Sequence, residues 1–194
     1  MAGSTAANIL AAARAIVVAE GSSGVTMRKV ASAVSVTPMT IYRHYADRGD
    51  LLQAVAEAEF GALAEEWTLR RISASTDLDQ LFADAVSELL DLALGRPRLY
   101  ALLFTERRPR ARTFPRDFRS GQSPTLTVVA EALQQGIRRG EYRAIDVWEQ
   151  SLIIAAVLHG LIQLRDGDRI DLDESLFRSL CHKAVQTIVD GLRS

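Results

Sequence analysis

The sequence is poor in the residues that build disulfide scaffolds, metal centres and membrane spans. A single cysteine, Cys181, rules out an intramolecular disulfide and fits a reducing compartment. The three histidines, His44, His159 and His182, lack metal-ligand spacing with one another or with Cys181, so we expect no metal. The longest apolar run, from Leu152 to Leu158, falls far short of the ~18 residues that cross a bilayer.

Catalytic and secretory patterns are also missing. The sequence has no glycine-rich phosphate loop, no nucleophile elbow, and no His, Asp and Ser at a recognisable catalytic spacing. Its N-terminus has no charged segment followed by an apolar stretch and a cleavage site. We therefore expect a cytoplasmic protein that is not an enzyme and that holds no cofactor.

The overall composition predicts an all-α protein with a sizeable core. Hydrophobic residues make up 48% of the 194, which argues against disorder. Glycine and proline cluster at a few breakpoints between stretches rich in alanine, leucine and arginine. The net charge is −1, but the first 50 residues carry five basic and three acidic side chains, a net +2 that leaves −3 for the rest. This distribution suits a small DNA-contact surface and disfavours a protein that coats nucleic acid.

Capping patterns predict two short helices near the N-terminus, joined by a tight turn. The Thr26 hydroxyl can accept a hydrogen bond from a backbone N–H one turn on, and Thr37 is expected to do the same for the next helix. Pro38 follows Thr37 and suits the first helical position, because its φ is pre-set. Only residues 34–36 separate the two patterns, which is room for a sharp turn alone. The pattern predicts a helix-turn-helix, with helices at about 27–33 and 38–44.

These residues resemble the signature of the TetR family of transcriptional regulators. The ordered set consists of Thr-Met-Arg-Lys-Val-Ala at 26–31, Thr-Ile-Tyr-Arg-His-Tyr at 40–45, then Arg48 and the pair Leu51-Leu52. One position departs from the family, which usually has glycine where this chain has Ser35, in a turn that favours a left-handed backbone. Serine is held in such a turn at a cost of about 1 kcal/mol.

The resemblance implies both an architecture and a function. The expected architecture is all-α with about nine helices: a three-helix DNA-binding domain over residues 1–50, and a larger helical effector-binding and dimerisation domain over residues 51–194. The implied function is that of a homodimeric repressor, which leaves a palindromic operator when a small molecule binds the body. Two alternatives stay open: a ligand-responsive activator, or a helical ligand-binding protein or enzyme without a DNA function.

The predicted DNA contacts lie on the exposed side of the helix-turn-helix. Arg28 can reach a guanine edge, the commonest specific base contact, although a solvated arginine is the simpler interpretation. Met39 offers an apolar contact to thymine methyl groups, while Tyr42 and His44 are expected to hold phosphates. Arg48 takes the place where the family has a phosphate-binding lysine. The predicted set is Thr26, Arg28, Thr37, Pro38, Met39, Thr40, Tyr42, Arg43, His44 and Arg48.

Large apolar residues recur on the helices that the family arranges around an effector cavity. Small-ligand pockets are mostly apolar with a few polar anchors, so we expect a largely hydrophobic effector held by Tyr100, Trp148 or His159. Core packing is the competing interpretation for each of them. Trp148 with His159-Gly160 also resembles the Trp…His-Gly signature of one subgroup of TetR-type C-terminal domains. The predicted pocket residues are Phe60, Leu63, Trp67, Leu99, Tyr100, Leu103, Phe104, Trp148 and His159.

The last two predicted helices are apolar on more than one face. Asp146 precedes Glu149, and Asp171 precedes Glu174, at the spacing of a capping box. A surface helix needs one apolar stripe, so two stripes indicate burial on both sides. The resemblance implies that the outer side is a homodimer interface, a four-helix bundle with two helices from each subunit. The predicted interface residues are Leu158, Leu161, Phe177 and Leu180.

An arginine-rich segment interrupts the predicted helices. Residues 105–123 are expected to form a loop, and residues 106–119 contain six arginines, at positions 107, 108, 110, 112, 116 and 119. The simpler interpretation is a solvated, mobile loop. The more specific one is an electrostatic collar for an anionic effector, because guanidinium groups suit carboxylate and phosphate.

Overall fold

The computed structural model describes residues 2–73, 77–108 and 110–193, and these residues form ten helices without a β-strand. The predicted all-α class is therefore confirmed. Over the described residues, the structure has one helix more than the nine predicted. This additional helix is a single turn, Arg116–Arg119 (α7), inside the predicted arginine-rich loop. The helices are α1 Ala2–Glu20, α2 Met27–Ala33, α3 Pro38–Tyr42, α4 Arg48–Ser73, α5 Leu78–Gly95, α6 Pro97–Tyr100, α7 Arg116–Arg119, α8 Pro124–Arg138, α9 Val147–Asp166 and α10 Glu174–Asp190. A π-helical turn, Ala101–Thr105, continues α6.

Side-chain caps begin most of the helices that bear on function. The Lys29 amide donates to the Thr26 hydroxyl over 3.1 Å at the start of α2, and the Asp50 amide donates to Asp47 over 2.8 Å at the start of α4. Asp146 caps α9 in the same way, accepting from the amide of Trp148 over 3.0 Å. These three caps satisfy N–H groups that have no partner within the helix.

The cap predicted at Asp171 is wrong. The carboxylate that begins α10 belongs to Asp173, which accepts a hydrogen bond from the Leu176 amide over 2.8 Å. Both aspartates can accept such a bond, and a helix that begins at Glu174 leaves Asp171 outside it. The helix therefore begins at the second of two competing caps.

Two compact units are present, and each is discontinuous in sequence. The first comprises residues up to Gly61 together with Leu92–Ala111, and the second comprises Ala62–Asp91 and the residues from Arg112 on. Apolar residues of α1, α2, α3, the start of α4 and the segment before α2 fill much of the first unit; they include Ile9, Val17, Val25, Val30, Ile41 and Leu51, all of which are fully buried. These units are defined by compactness alone, so the predicted division into a DNA-binding domain (1–50) and an effector-binding and dimerisation domain (51–194) stays a prediction.

The second unit is built from the rest of α4, most of α5, and α8 to α10. One face of α9 packs inward through Ser151, Ile154, Leu158 and Ile162. Gly136 of α8 lets the ring of Tyr142 lie against the helix, since a Cβ at this position would be 2.2 Å from Tyr142 Cδ2. Tyr142 is almost fully buried, and this burial raises the pKa of its phenol to about 12.

The turn between α2 and α3 has the left-handed backbone expected at Ser35, whose φ is 55°. Two hydrogen bonds close it: the Ser35 amide donates to the Ser32 carbonyl over 3.2 Å, and the Val36 amide donates to the Ala31 carbonyl over 2.9 Å. The second bond satisfies a carbonyl at the end of α2. A residue with a Cβ therefore occupies a position that favours glycine.

Replacing Ser35 by glycine should stabilise the protein. Ser35→Gly removes the strain of a left-handed serine, and we expect the free energy of unfolding to rise by about 0.5–1 kcal/mol. The matched control is Ser32→Gly, three residues earlier and inside α2, where glycine should lower that free energy by about as much. Urea denaturation followed by circular dichroism measures both. Equal signs for the two variants would contradict the strain at Ser35.

Candidate functional site

The start of α3 differs in detail from the expected cap. Pro38 occupies the first helical position, as predicted, but the Thr37 hydroxyl makes no cap with a backbone N–H. It lies 3.1 Å from the hydroxyl of Thr40 instead, and the Thr40 amide donates to the Thr37 carbonyl over 2.9 Å. The predicted hydroxyl cap at Thr37 is therefore wrong, because the nearby hydroxyl of Thr40 takes its place.

The helix-turn-helix has one buried side and one exposed side. Ile41 of α3 is fully buried, which fixes the opposite side of the helix toward solvent. Met39 is 69% exposed and Tyr42 is 50% exposed, unusually high values for a methionine and a tyrosine. Thr40 is half-buried. The other nine predicted DNA contacts are exposed: Thr26, Arg28, Thr37, Pro38, Met39, Tyr42, Arg43, His44 and Arg48.

The cations of this surface differ in how far they are neutralised. Lys29 forms an ion pair with Glu20. Arg28 and Arg43 are exposed and form no ion pair among the residues that the structure describes. Two guanidinium groups therefore keep their donors available for an anion or a base edge.

Arg48 makes contacts that the sequence did not indicate. Its Nε donates to the carbonyl of Val25 over 2.9 Å, and a terminal nitrogen donates to the carbonyl of Ser22 over 2.5 Å. The first turn of α4 is thereby joined to the segment that precedes α2. The only signal in the sequence is the residue type, because an arginine offers several donors in a fixed fork where a lysine offers one ammonium group.

Several guanidinium groups of the arginine-rich segment are bound to other groups of the protein. In the first unit, Arg108 donates to the carbonyl of Leu103 over 2.8 Å, and Arg110 forms an ion pair with Asp50. Pro109, between them, lies outside the described residues. The interpretation of this segment as a solvated loop is therefore wrong for the half-buried Arg108, whereas Arg110 is ion-paired but 64% exposed.

The second part of this segment belongs to the second unit. Arg116 pairs with Asp117, and Arg119 pairs with Asp146, the residue that caps α9. The hydrogen bond from Arg119 lowers the pKa of the Asp146 carboxyl. Arg116 and Arg119 are therefore ion-paired, but their side chains stay 80% and 43% exposed, so solvent still reaches this part of the segment.

The predicted pocket residues fall into both compact units. In the first, Leu99, Tyr100 and Leu103 are buried; the ring of Phe104 lies 5.1 Å from that of Tyr100 and 5.4 Å from that of Phe60, between centroids. In the second, Leu63 and Trp148 are half-buried, Trp67 is buried, and burial of His159 lowers its pKa to about 4. This histidine is therefore neutral at physiological pH.

A small apolar cavity lies beside Trp67 within the second unit. Its volume is about 10 Å³, room for about one water molecule. The indole Nε1 of Trp67 is buried and has no hydrogen-bond partner among the described residues. Sequence reasoning found Trp67 but missed the walls supplied by α5 and α8. The lining residues are Trp67, Leu81, Phe82, Asp84, Ala85, Glu88, Val128 and Val129.

Among the described residues, no group of three or more His, Cys, Asp or Glu side chains could hold a metal ion. Cys181 is fully buried, and this burial raises the pKa of its thiol to about 11. Such a thiol stays protonated and unreactive. His182 instead contacts the hydroxyl of Ser87 over 3.2 Å, between α10 and α5.

The exposed surface of α9 and α10 includes several large apolar side chains. Leu158 and Phe177 of the predicted interface are buried within the subunit itself, which leaves them no surface for a partner; Leu161 and Leu180 are half-buried. The apolar side chains that are exposed here are Ile153 (49%), Leu164 (44%) and Leu176 (55%); they lie on the additional apolar stripes seen in the sequence but were not among the four predicted interface residues. Among the described helices, only α9 has the length and composition of a membrane span, and 22% of its most apolar stretch is buried.

Family models match most of the chain. Residues 9–55 match bacterial regulatory proteins of the tetR family, and residues 73–187 match the tetracyclin repressor-like C-terminal domain. A search of curated proteins found no match.

Solved structures resemble the whole chain in fold. A protein of unknown function from Rhodococcus sp. RHA1 is 21% identical, with 97% of this chain and 95% of that chain covered and a TM-score of 0.78. FadR from Bacillus subtilis, solved with stearoyl-CoA, is 19% identical, with 96% and 98% covered and a TM-score of 0.73. RolR, solved with resorcinol, is 17% identical, with 99% and 96% covered and a TM-score of 0.67.

The residues that the two family models match include most of the features described above. The first model spans the capped helix-turn-helix with its exposed cations. The second spans the α5 and α8 walls of the cavity beside Trp67 and the exposed apolar side chains of α9 and α10. The matched residues make up well over half of the 194 in the chain. The chain therefore belongs to the TetR family of bacterial regulatory proteins.

Proposed function

We propose that this regulator is a homodimeric repressor, which binds a palindromic operator and releases it when a small, largely hydrophobic molecule binds its body. The observation that carries the proposal is the exposed side of the helix-turn-helix, with Met39, Tyr42, Arg28 and Arg43 directed away from the core. An exposed apolar and cationic surface on a short helix suits the edges and phosphates of a major groove. We favour repression over activation because residues 73–187 match a repressor-like domain.

Eight of the ten predicted DNA contacts have a proposed role. Arg28 reads a base edge from the first turn of α2, and Met39 contacts a thymine methyl group. Thr37, Thr40 and Arg43 bind bases or phosphates at the start and end of α3, while Tyr42 and His44 hold phosphates. For Arg48, whose donors already bind two carbonyls, we propose a mainly structural role with phosphate binding as a secondary one. We assign DNA binding to residues 1–50 and the effector and dimer functions to residues 51–194.

The dimer is proposed from the surface of α9 and α10. A monomer would leave Ile153, Leu164 and Leu176 in water, next to the half-buried Leu161 and Leu180. An apolar patch on two adjacent helices indicates a partner, and a second copy related by two-fold symmetry would also supply the second half-site contact. Covering α9 in this way accounts for its apolar surface in a cytoplasmic protein.

The effector is proposed to be largely hydrophobic. The predicted pocket residues are mainly aromatic or aliphatic. The cavity beside Trp67 has mostly apolar walls but room for only about one water molecule, so an effector that binds there would have to widen it. FadR and RolR, which have similar folds, were solved with stearoyl-CoA and resorcinol. Effector binding would lower operator affinity if the ligand prefers a conformation with weaker DNA contacts. A regulator of this kind carries out no catalysis, so we propose that the chain is not an enzyme.

Selection from random DNA tests the proposed function. We expect the protein to enrich duplexes that contain an inverted repeat, because a two-fold dimer presents two identical helix-turn-helix motifs. The half-sites should lie about one helical turn apart or a multiple of it. Repeated rounds of selection followed by sequencing measure this. Enrichment of no sequence, or only of single-stranded DNA, would contradict a palindromic operator.

Two substitutions should separate base reading from phosphate holding. On the selected operator, Arg28→Ala should weaken binding by about 1–3 kcal/mol and relax the preference at one base pair per half-site, whereas Tyr42→Phe should weaken all sequences alike. Lys29→Ala is the control, since Glu20 already neutralises this neighbouring cation. Fluorescence anisotropy on the operator and its single-base variants measures these effects. A folded Arg28→Ala variant with unchanged base preference would exclude the base contact.

Charged substitutions should dissociate the proposed dimer without unfolding the subunit. Ile153 and Leu176 are about half exposed, so the subunit tolerates glutamate there. In the dimer an unpaired carboxylate would be buried, and Ile153→Glu or Leu176→Glu should raise the dissociation constant more than about a hundredfold. The control Met39→Glu, on the exposed side of α3, should stay dimeric. Analytical ultracentrifugation measures the dissociation constant of each variant. If both variants are folded and both remain dimers, this interface is ruled out.

A further inference from the structure

The arginine-rich segment contacts α4 within the first compact unit. Its residues 106–108, 110 and 111, here called the arginine arm, follow the π-helical turn Ala101–Thr105. Arg110 forms an ion pair with Asp50, in the first turn of α4. One turn further on, Arg108 lies 3.5 Å from Oε1 of the buried Gln53. The arm therefore follows one side of α4 from its first turn.

Arg108 is fixed by more than this contact. Its guanidinium donates to the carbonyl of Leu103 over 2.8 Å, which ties the arm back to the π-helical turn. The same group lies 5.5 Å from the centre of the Phe60 ring, within cation–π range. Gln53 in turn donates to Glu57 over 2.5 Å. The contacts form a connected set along three turns of α4, so the arm is a fixed part of the unit.

The first turn of α4 also makes contacts toward α2. Arg48 donates to the carbonyls of Ser22 and Val25. Val25 lies directly before Thr26, the residue that caps α2. Arg48 and Asp50 are two residues apart in the same helical turn. One turn of helix thus connects the arm, through Asp50, with the start of α2, through Arg48.

We propose that the arginine arm braces the first turn of α4 and thereby positions α2 and α3 for DNA binding. Arg110, Asp50 and Arg48 are positioning residues in this arrangement: the arm holds the turn, and the turn holds the segment before α2. The inference rests on the proposed function in one respect, namely that α2 and α3 bind the operator. It replaces the anion collar as the role of Arg108 and Arg110, because both guanidinium groups are bound to this protein.

The brace and long-range electrostatics predict opposite changes in operator affinity when the charge of Asp50 is removed. Removing the negative charge of Asp50 beside a DNA-binding surface should strengthen binding if only long-range attraction matters. The brace predicts the opposite, since Asp50→Asn frees Arg110 and loosens the turn. The ion pair is partly exposed, at 64% for Arg110 and 33% for Asp50, so the expected loss is about two- to fivefold in operator affinity.

The experiment compares three variants on the selected operator by fluorescence anisotropy. Asp50→Asn and Arg110→Gln should each weaken binding about two- to fivefold, and the double variant should be no weaker than either single one, because both break the same contact. The control is Arg107→Gln, which removes the same charge from an exposed neighbour that forms no ion pair among the described residues; its affinity should stay nearly unchanged. The salt dependence of binding by Arg110→Gln should match that of the parent protein.

Several results would overturn the brace. Unchanged or tighter binding by Asp50→Asn would do so, as would additive losses in the double variant. A direct phosphate contact by Arg110 would instead reduce the slope of log affinity against log salt by about one. Hydrogen exchange on the free protein supplies a readout without DNA: the amides of residues 22–30 should exchange faster in Asp50→Asn and Arg110→Gln than in Arg107→Gln. Equal exchange in all three would refute the brace, whereas absence of operator binding by the parent protein would refute only the proposed function.

Discussion

The proposed recognition surface depends on the burial of Ile41. The helix that carries it, α3, has only five residues, and isolated helices shorter than about 12 residues are marginal in water. Tertiary contacts must therefore stabilise it: Ile41 is fully buried, and the left-handed turn at Ser35 sets the direction in which the chain enters the helix. Because one side of so short a helix is anchored, Met39 and Tyr42 face solvent on the other. The same contact thus stabilises α3 and fixes the side it presents.

Local signals in the sequence predicted the helices well. The caps at Thr26 and Asp146 involve atoms only two or three residues apart, so residue type and spacing suffice to find them. The same reasoning failed where two acceptors compete. At Thr37 the hydroxyl of Thr40 took the expected partner's place, and Asp173 capped α10 in place of Asp171. The competing hydrogen bonds at these helix starts differ little in energy, so the surrounding structure determines which of them forms.

Contacts between distant residues were beyond such reasoning. Arg110 and Asp50 are 60 residues apart, and no pattern in either segment indicates the other. The sequence likewise showed that α9 and α10 are apolar on two sides, but not which side faces the subunit's own core. Leu158 and Phe177 proved to be core residues, while the exposed Ile153 and Leu176 had not been selected. The family and the exposed side of the helix-turn-helix were predictable because their motif is compact in sequence.

The composition of the first compact unit has a consequence for synthesis on the ribosome. This unit needs Leu99 and Leu102 as well as residues up to Gly61, and both leucines are fully buried. An emerging N-terminal segment that contains the whole helix-turn-helix motif still lacks this part of its unit, and the arginine arm follows later still. Co-translational completion must therefore wait until the chain beyond α6 has left the exit tunnel. A chimera that grafts only the first 50 residues onto another body would likewise separate these residues from the segment they fold with.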